Sequence, residues 1–203
     1  MRFAMITLNP VDPAVRYALA DRERLHAIIS ASCTGRPLWR WERDRIHLVA
    51  NRIDTDRLTA RLGHPAIRVT DYDRALGLLT VGDRLTVDVD ANMTVCHEGR
   101  RRPLPDDAAR RTWTERTFRV NGFDVHDVAL LDHRIDTVDA NRRRLTVDHA
   151  LVRVDATILD PAGARRMLTR GMGRARAFGF GLPLIARRIP ADVSSDTSQG
   201  AAL

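Results

Sequence analysis

Leu85-Thr-Val-Asp-Val-Asp-Ala-Asn-Met-Thr-Val95 alternates apolar and polar side chains without a break, as a long strand buried on one face does. A helix follows, started by Asp106 or Asp107, carrying Trp113 and Phe118, and ended before Gly122. Two more strand-like runs come next, about Asp124 to Thr137 and Arg144 to Leu159. The second shifts its alternation near His149, where a bulge is expected. Asp160-Pro161 joins a capping side chain to a proline at the first helical position, and Gly171 falls just past that helix. A last strand is read from Phe178 to Arg187. The order is β-α-β-β-α-β.

The same order is legible toward the N-terminus. Arg2 to Leu8 reads as a strand stopped by Asn9-Pro10. Asp21 caps a helix whose apolar stripe is Leu25, Ile28 and Ile29. Leu38 to Glu42 and Ile46 to Ala50 are strand-like and meet at a turn over Arg43-Asp-Arg45. Thr55 or Asp54 caps a helix running through Leu62, Gly63 ends it, and Ala66 to Tyr72 is a strand. The pattern predicts an α+β protein of two tandem ferredoxin-like (RRM-like) βαββαβ units. Residues 1–80 make the first and 81–190 the second, with the boundary near Val81-Gly-Asp83. Residues 191–203, rich in Ser, Asp, Thr and Gly, are expected to be a disordered tail.

Composition narrows the partners. With 44% apolar residues in 203 the chain can bury a core, and 33 basic against 26 acidic residues leave it at +7. Every basic residue is arginine, a bias that a GC-rich genome accounts for in large part. Its physical consequence holds regardless. Guanidinium groups fork onto phosphates and stack on bases, so such a surface suits RNA better than a membrane. Only 5% of residues are aromatic, and no pair has the spacing of a sheet-face RNA-stacking motif. Groove and backbone contacts to a structured RNA fit better. Cys33 and Cys96 follow no metal or disulfide pattern, and no run reaches the length of a membrane span, so a reducing cytoplasm and no membrane are expected.

Gly171-Met-Gly-Arg-Ala-Arg-Ala-Phe-Gly-Phe-Gly-Leu182 lies between the last helix and the last strand. Without a Cβ, Gly171, Gly173, Gly179 and Gly181 let backbone N–H groups approach an anion, and Arg174 and Arg176 add charge beside them. The same residues also fit a plain turn. The segment resembles the corresponding loop of the CasE family, the CRISPR-repeat-processing endoribonucleases of type I-E Cascade systems. Met5-Ile-Thr-Leu-Asn-Pro10 resembles that family's opening strand, and Leu19-Ala-Asp-Arg-Glu-Arg-Leu-His26 its Leu-Ala-(Asp/Asn)-x-x-x-(Leu/Met)-His segment. Val87-Asp-Val-Asp-Ala-Asn92 is similar to its Arg-Leu-x-Ala-Asn strand, with aspartates where the family often has a basic residue. The matches run from residue 3 to about 187.

The resemblance implies a CRISPR repeat RNA hairpin as substrate, other Cascade subunits as partners, and His26 at the catalytic position. By spacing, His26 stands at the edge of its helix's apolar stripe, where packing holds one side and a ligand reaches the other. RNA carries its own nucleophile, the 2′-hydroxyl, so one proton-transfer group and some positive charge suffice, without a cofactor. Family members often place a tyrosine three residues before the histidine; here Glu23 stands instead. An ionised Glu23 would repel the phosphate, or would orient His26 as carboxylates do for catalytic imidazoles. Arg22 could neutralise Glu23 or contact the phosphate itself, and Tyr17 is a candidate to take the tyrosine's place.

Asn141-Arg-Arg-Arg144 joins two strands. Arg142, Arg143 and Arg144 would enter an A-form groove or else solvate a turn, and the family carries a basic hairpin at the corresponding place. Arg100-Arg-Arg102 offers only general phosphate contact. Asp88-x-Asp90-x-Asn92 begins like a calcium loop but lacks the glycine and the glutamate that complete one, so no metal site is read. Asp124-Val-His126-Asp127 and Asp132-His133 are expected in solvent. Two other readings stay open: a non-catalytic structured-RNA-binding protein on the same fold, and an acylphosphatase-like enzyme.

Overall fold

The computed structural model describes residues 1–97, 100–140 and 143–191. The first half runs β1 (Arg2–Thr7), α1 (Pro13–Leu19), α2 (Arg22–Ala31), β2 (Cys33–Thr34), β3 (Leu38–Glu42), β4 (Arg45–Ala50), β5 (Arg52–Ile53), α3 (Thr55–Arg61), β6 (Ala66–Asp71) and α4 (Tyr72–Gly77). The second runs β7 (Arg84–Asn92), β8 (Thr94–His97), β9 (Arg100–Pro103), α5 (Asp107–Arg119), β10 (Phe123–Ala140), β11 (Arg143–Ile158), α6 (Pro161–Arg170), a single 3-10 turn over Arg176–Phe178, and β12 (Pro183–Ile189).

Each half builds one antiparallel four-stranded sheet, in the order β3-β4-β1-β6 and β10-β11-β7-β12. In both, the first long strand lies between the third and the fourth, as in a ferredoxin-like unit. The alternation supplies the buried face: Ala4, Ile6, Ile46 and Leu48 meet Val15, Leu25, Ile29 and Leu58 from the helices. Leu85, Val87, Val89, Val152 and Val154 meet Phe118, Met167 and Leu168 in the second half. Among the described residues, all six α-helices carry an aspartate N-cap, Asp12, Asp21, Asp54, Asp71, Asp106 and Asp160. Each cap is worth about 1 kcal/mol.

The structure departs from the sequence reading at identifiable places. α1 was not anticipated, although Asp12-Pro13 repeats the cap-and-proline signal of Asp160-Pro161. The strand that opens the second half stops at Asn92, because the Asp148 amide donates to the Asn92 side chain (3.0 Å) and the Met93 carbonyl accepts from the Leu104 amide (3.3 Å), and β8 and β9 then form a separate hairpin. The last strand starts at Pro183 rather than Phe178, since Gly179 and Gly181 have φ of 85° and 81°. No register shift falls at His149. The shifts between β10 and β11 are in β10, between Val125 and Asp127 and between Leu130 and Asp132, and another lies in β12 between Ile185 and Arg187. The alternation in β11 blurs there because Val147 and His149, on the face away from the helices, are covered by Phe180. Residues 192–203 of the expected tail lie outside the described residues.

The sheet faces that the helices leave open meet each other. Leu38 and Val49 from the first half pack with Leu182 from the second, flanked by Phe3, Tyr72 and Leu184. Buried Arg40 donates to the Asp88 carbonyl (3.4 Å) and pairs with Glu42 (3.0 Å). From α6, Arg165 donates to the carbonyls of Leu76 (3.0 Å) and Leu79 (2.8 Å).

One buried carboxylate organises the far end of the second sheet. Asp148 accepts from the Leu104 amide at 2.9 Å, from Arg110 Nε and Nη2 at 3.3 and 3.2 Å, and faces His133 Nε2 at 2.7 Å. His133 was expected in solvent, but β10 carries it against this carboxylate. Removing one partner of a buried ion pair strands the other, at a cost of about 3–5 kcal/mol. Arg110→Met is therefore expected to lower the unfolding free energy by that amount, read from the urea midpoint at unchanged m-value.

Candidate functional site

Asp21 starts α2 by accepting from the Glu23 amide at 2.8 Å, and Leu25 and Ile29 are buried on the helix's inner face. Arg22, His26 and Ser30 follow at four-residue intervals and form one ridge along its flank. Ser30 Oγ lies 3.2 Å from His26 Nδ1, and the Phe178 ring stands 6.0 Å from the imidazole, tilted by 53°. Burial of the ring holds its pKa below 6.5, while the charge of Glu23 pushes it back upward. The imidazole is thus neutral at pH 7 and able to accept a proton.

The glycine-rich loop crosses from the second half to reach this ridge. Trp39 Nε1 donates to the Ala177 carbonyl at 3.1 Å, and a Cβ on Gly179 would sit 2.5 Å from the Trp39 ring. A Cβ on Gly181 would sit 2.0 Å from the Met172 carbonyl oxygen, and one on Gly173 would sit 3.0 Å from that of Asn92. The Gly171 amide donates to Met167 (2.8 Å), Gly179 to Arg176 (3.3 Å) and Gly181 to Asp90 (2.6 Å). This corrects the reading of the loop as an open row of anion-binding amides. At these three positions the N–H groups are committed inward, and the glycines permit close packing with positive φ. What the loop turns outward is the side chains of Arg174 and Arg176, both exposed.

Between α2, the turn before β3 and the loop lies a cleft of about 770 Å³. His26 and Ser30 line one side; Arg36, Arg170 and Arg176 line the others, and no carboxylate is among the lining residues. Arg36 and Arg170 escaped the sequence reading. Their signals were a turn glycine beside Arg36 (Gly35, φ 83°) and the position of Arg170 immediately before Gly171. A phosphate entering here meets positive charge beside a neutral imidazole.

Other candidates are placed elsewhere. Arg22 Nη1 donates to the Phe178 carbonyl at 2.7 Å, and its guanidinium lies 4.6 Å from the centre of the Phe180 ring. Tyr17 is exposed and stacks with Arg24 at 4.4 Å, on the side of α2 away from His26, so it does not take the missing tyrosine's place. Arg143 and Arg144 open β11 opposite Ala140 and Asp139, and Arg142 lies outside the described residues. In the calcium-like run, Asp88 pairs with Arg153 (2.8 Å) and Asp90 with His149 (2.7 Å).

A family model described as CRISPR associated protein matches residues 1–187. The chain belongs to that family. Both terminal motifs had pointed there. The chain is also similar in structure to the CRISPR endoribonuclease Cse3 bound to a 19-nucleotide RNA, at 25% identity and TM-score 0.81, covering 92% of this chain and 100% of that one. It is similar to Thermus thermophilus Cse3 bound to an RNA representing a pre-cleavage complex, at 24% identity and TM-score 0.78, covering 92% and 98%. A chain of a CRISPR RNA-guided surveillance complex shares the fold at 22% identity and TM-score 0.61, covering 92% and 99%. No curated protein sequence matches. Among the described residues no helix is long and apolar enough to cross a membrane.

The opposing influences on His26 can be separated. In the free protein its ring is expected to titrate below 6.5, and Glu23→Gln should lower the midpoint further by removing the charge that raises it. Proton NMR of the ring across pH 4–8, the window of an ordinary histidine on either side of ~6.5, measures both.

Proposed function

We propose that this chain is a metal-independent endoribonuclease. It binds the hairpin of a CRISPR repeat in precursor RNA, cuts beside it, and stays with the product as a Cascade subunit. The observation that carries the proposal is a neutral, half-buried histidine opening on an arginine-lined cleft with no carboxylate in its walls. Membership of the CRISPR-associated family supports it, as do the RNA held by Cse3 and the fold shared with a chain of a surveillance complex.

The chemistry follows from the groups. His26 accepts the proton of the 2′-hydroxyl next to the scissile phosphate, and the freed oxygen attacks phosphorus in line with the 5′-oxygen. The P–O5′ bond breaks as the new P–O2′ bond forms, leaving a 2′,3′-cyclic phosphate and a 5′-hydroxyl that takes its proton from water or from the imidazolium. Arg36, Arg170 and Arg176 hold the charge that builds on the phosphorane oxygens. Arg174 and the hairpin arginines Arg142, Arg143 and Arg144 are assigned to the flanking phosphates and the A-form groove. The reading of the chain as a non-catalytic RNA binder draws on Glu23, whose charge opposes an approaching phosphate.

Two experiments test the assignment. His26→Ala should reduce single-turnover cleavage of a repeat hairpin, with EDTA present, by about 10²–10⁴-fold while hairpin affinity changes little. Cleavage within a few-fold of wild type would remove His26 from the chemistry, whereas no cleavage by the wild-type chain with EDTA present would favour the non-catalytic reading. The triple replacement of Arg142, Arg143 and Arg144 by alanine should weaken hairpin binding. Its log–log salt slope should fall by roughly 0.7–0.9 for each phosphate these arginines neutralise; an unchanged slope would leave them solvating a turn.

A further inference from the structure

Arg22 was a candidate phosphate ligand, but its surroundings give it different work. Its Nη1 donates to the Phe178 carbonyl at 2.7 Å. Its guanidinium carbon lies 4.6 Å from the centre of the Phe180 ring and 5.9 Å from that of Trp41. One turn further along the same ridge stands His26, and the residue packed against His26 is Phe178 itself, at 6.0 Å between ring centres. Arg22 therefore holds the main chain of the residue whose ring covers the imidazole. A planar guanidinium can stack on a ring and donate in its own plane at once, which a lysine ammonium cannot do.

We infer that Arg22 is a positioning residue: it latches the glycine-rich loop onto α2 and so seats Phe178 against His26. The inference rests on His26 being the proton-transfer group, but the latch itself is a matter of structure and is readable without RNA. Phe178 is part of the cover that dries the ring, so loosening the latch admits water to the imidazole. The other charged groups about the ring are Glu23 on its own helix, Arg36 before β3, and Arg170 and Arg176 from the far wall of the cleft. Glu23, Arg36 and Arg170 lie outside the latched turn, whereas Arg176 shares it with Phe178 and shifts with it when Arg22 is changed. Arg22→Ala also removes a positive charge, whereas Arg22→Lys keeps it and reports the seating alone.

The test uses the full chain carrying Arg22→Lys, Arg22→Ala or Phe180→Leu, the last removing the stacking face without touching Arg22. Ring NMR of His26 in the free protein is expected to show the midpoint rising toward 6.5 in Arg22→Lys. Phe180→Leu should show a smaller rise. Single-turnover cleavage should fall by about 10–100-fold, the scale of a misplaced catalytic group, with the salt slope of hairpin binding unchanged. An unmoved His26 midpoint in both Arg22→Lys and Phe180→Leu would overturn the inference. So would a slope reduced by roughly 0.7–0.9 in Arg22→Ala with the rate restored by lysine, which would make Arg22 a phosphate ligand after all. If His26→Ala cleaves normally while the midpoint still moves, the latch stands and the catalytic reading falls.

Discussion

The closure of the glycine-rich loop against Trp39 is the contact on which the candidate site depends. Trp39 is fully buried in the core of the first half, yet its Nε1 reaches out to the Ala177 carbonyl and its ring forms the floor under Gly179. A side chain at position 179 would both overlap that ring and resist the positive φ. The loop belongs to the second half and His26 to the first, so the cleft exists only while the two stay docked. The small apolar cluster of Leu38, Val49 and Leu182 and the buried Arg40 provide that docking from the sheet side.

Charge is partitioned as deliberately as packing. Six aspartates cap helices, Asp83 is tied to Arg188 and Thr80, Asp88 to Arg153, and Asp148 to Arg110. These carboxylates have local work that keeps them out of the cleft. The arginines lining it are exposed, with Arg176 donating to the Arg170 carbonyl at 2.7 Å; like charges there cost little in water and gain greatly when a phosphate arrives. The excess of basic over acidic residues thus becomes a local field as well as a global balance.

His26 combines two requirements that pull apart. A base must be neutral before it acts, which burial favours, and it must hold a proton afterwards, which the charge of Glu23 favours. Glu23 assists the second requirement and opposes the approach of phosphate. The three arginines of the cleft favour that approach, and Glu23 lies outside the cleft's lining.

The sequence by itself determined the β-α-β-β-α-β order, twice, because period-2 alternation and aspartate caps are local signals that tertiary context did not overturn. It also placed His26 on the edge of an apolar stripe and set off the glycine-rich loop by its composition. It could not show that the Gly181 amide turns inward, because its acceptor, the Asp90 carbonyl, is far away along the chain. Nor could it separate Arg36 and Arg170 from the other arginines, since nothing local distinguishes a cationic wall of a cleft from a solvated surface. Arg22 looked like a ligand for phosphate and His133 like a solvated residue. Only the folding of distant segments onto them, Phe178 and Phe180 in one case and Asp148 in the other, decided what each side chain touches.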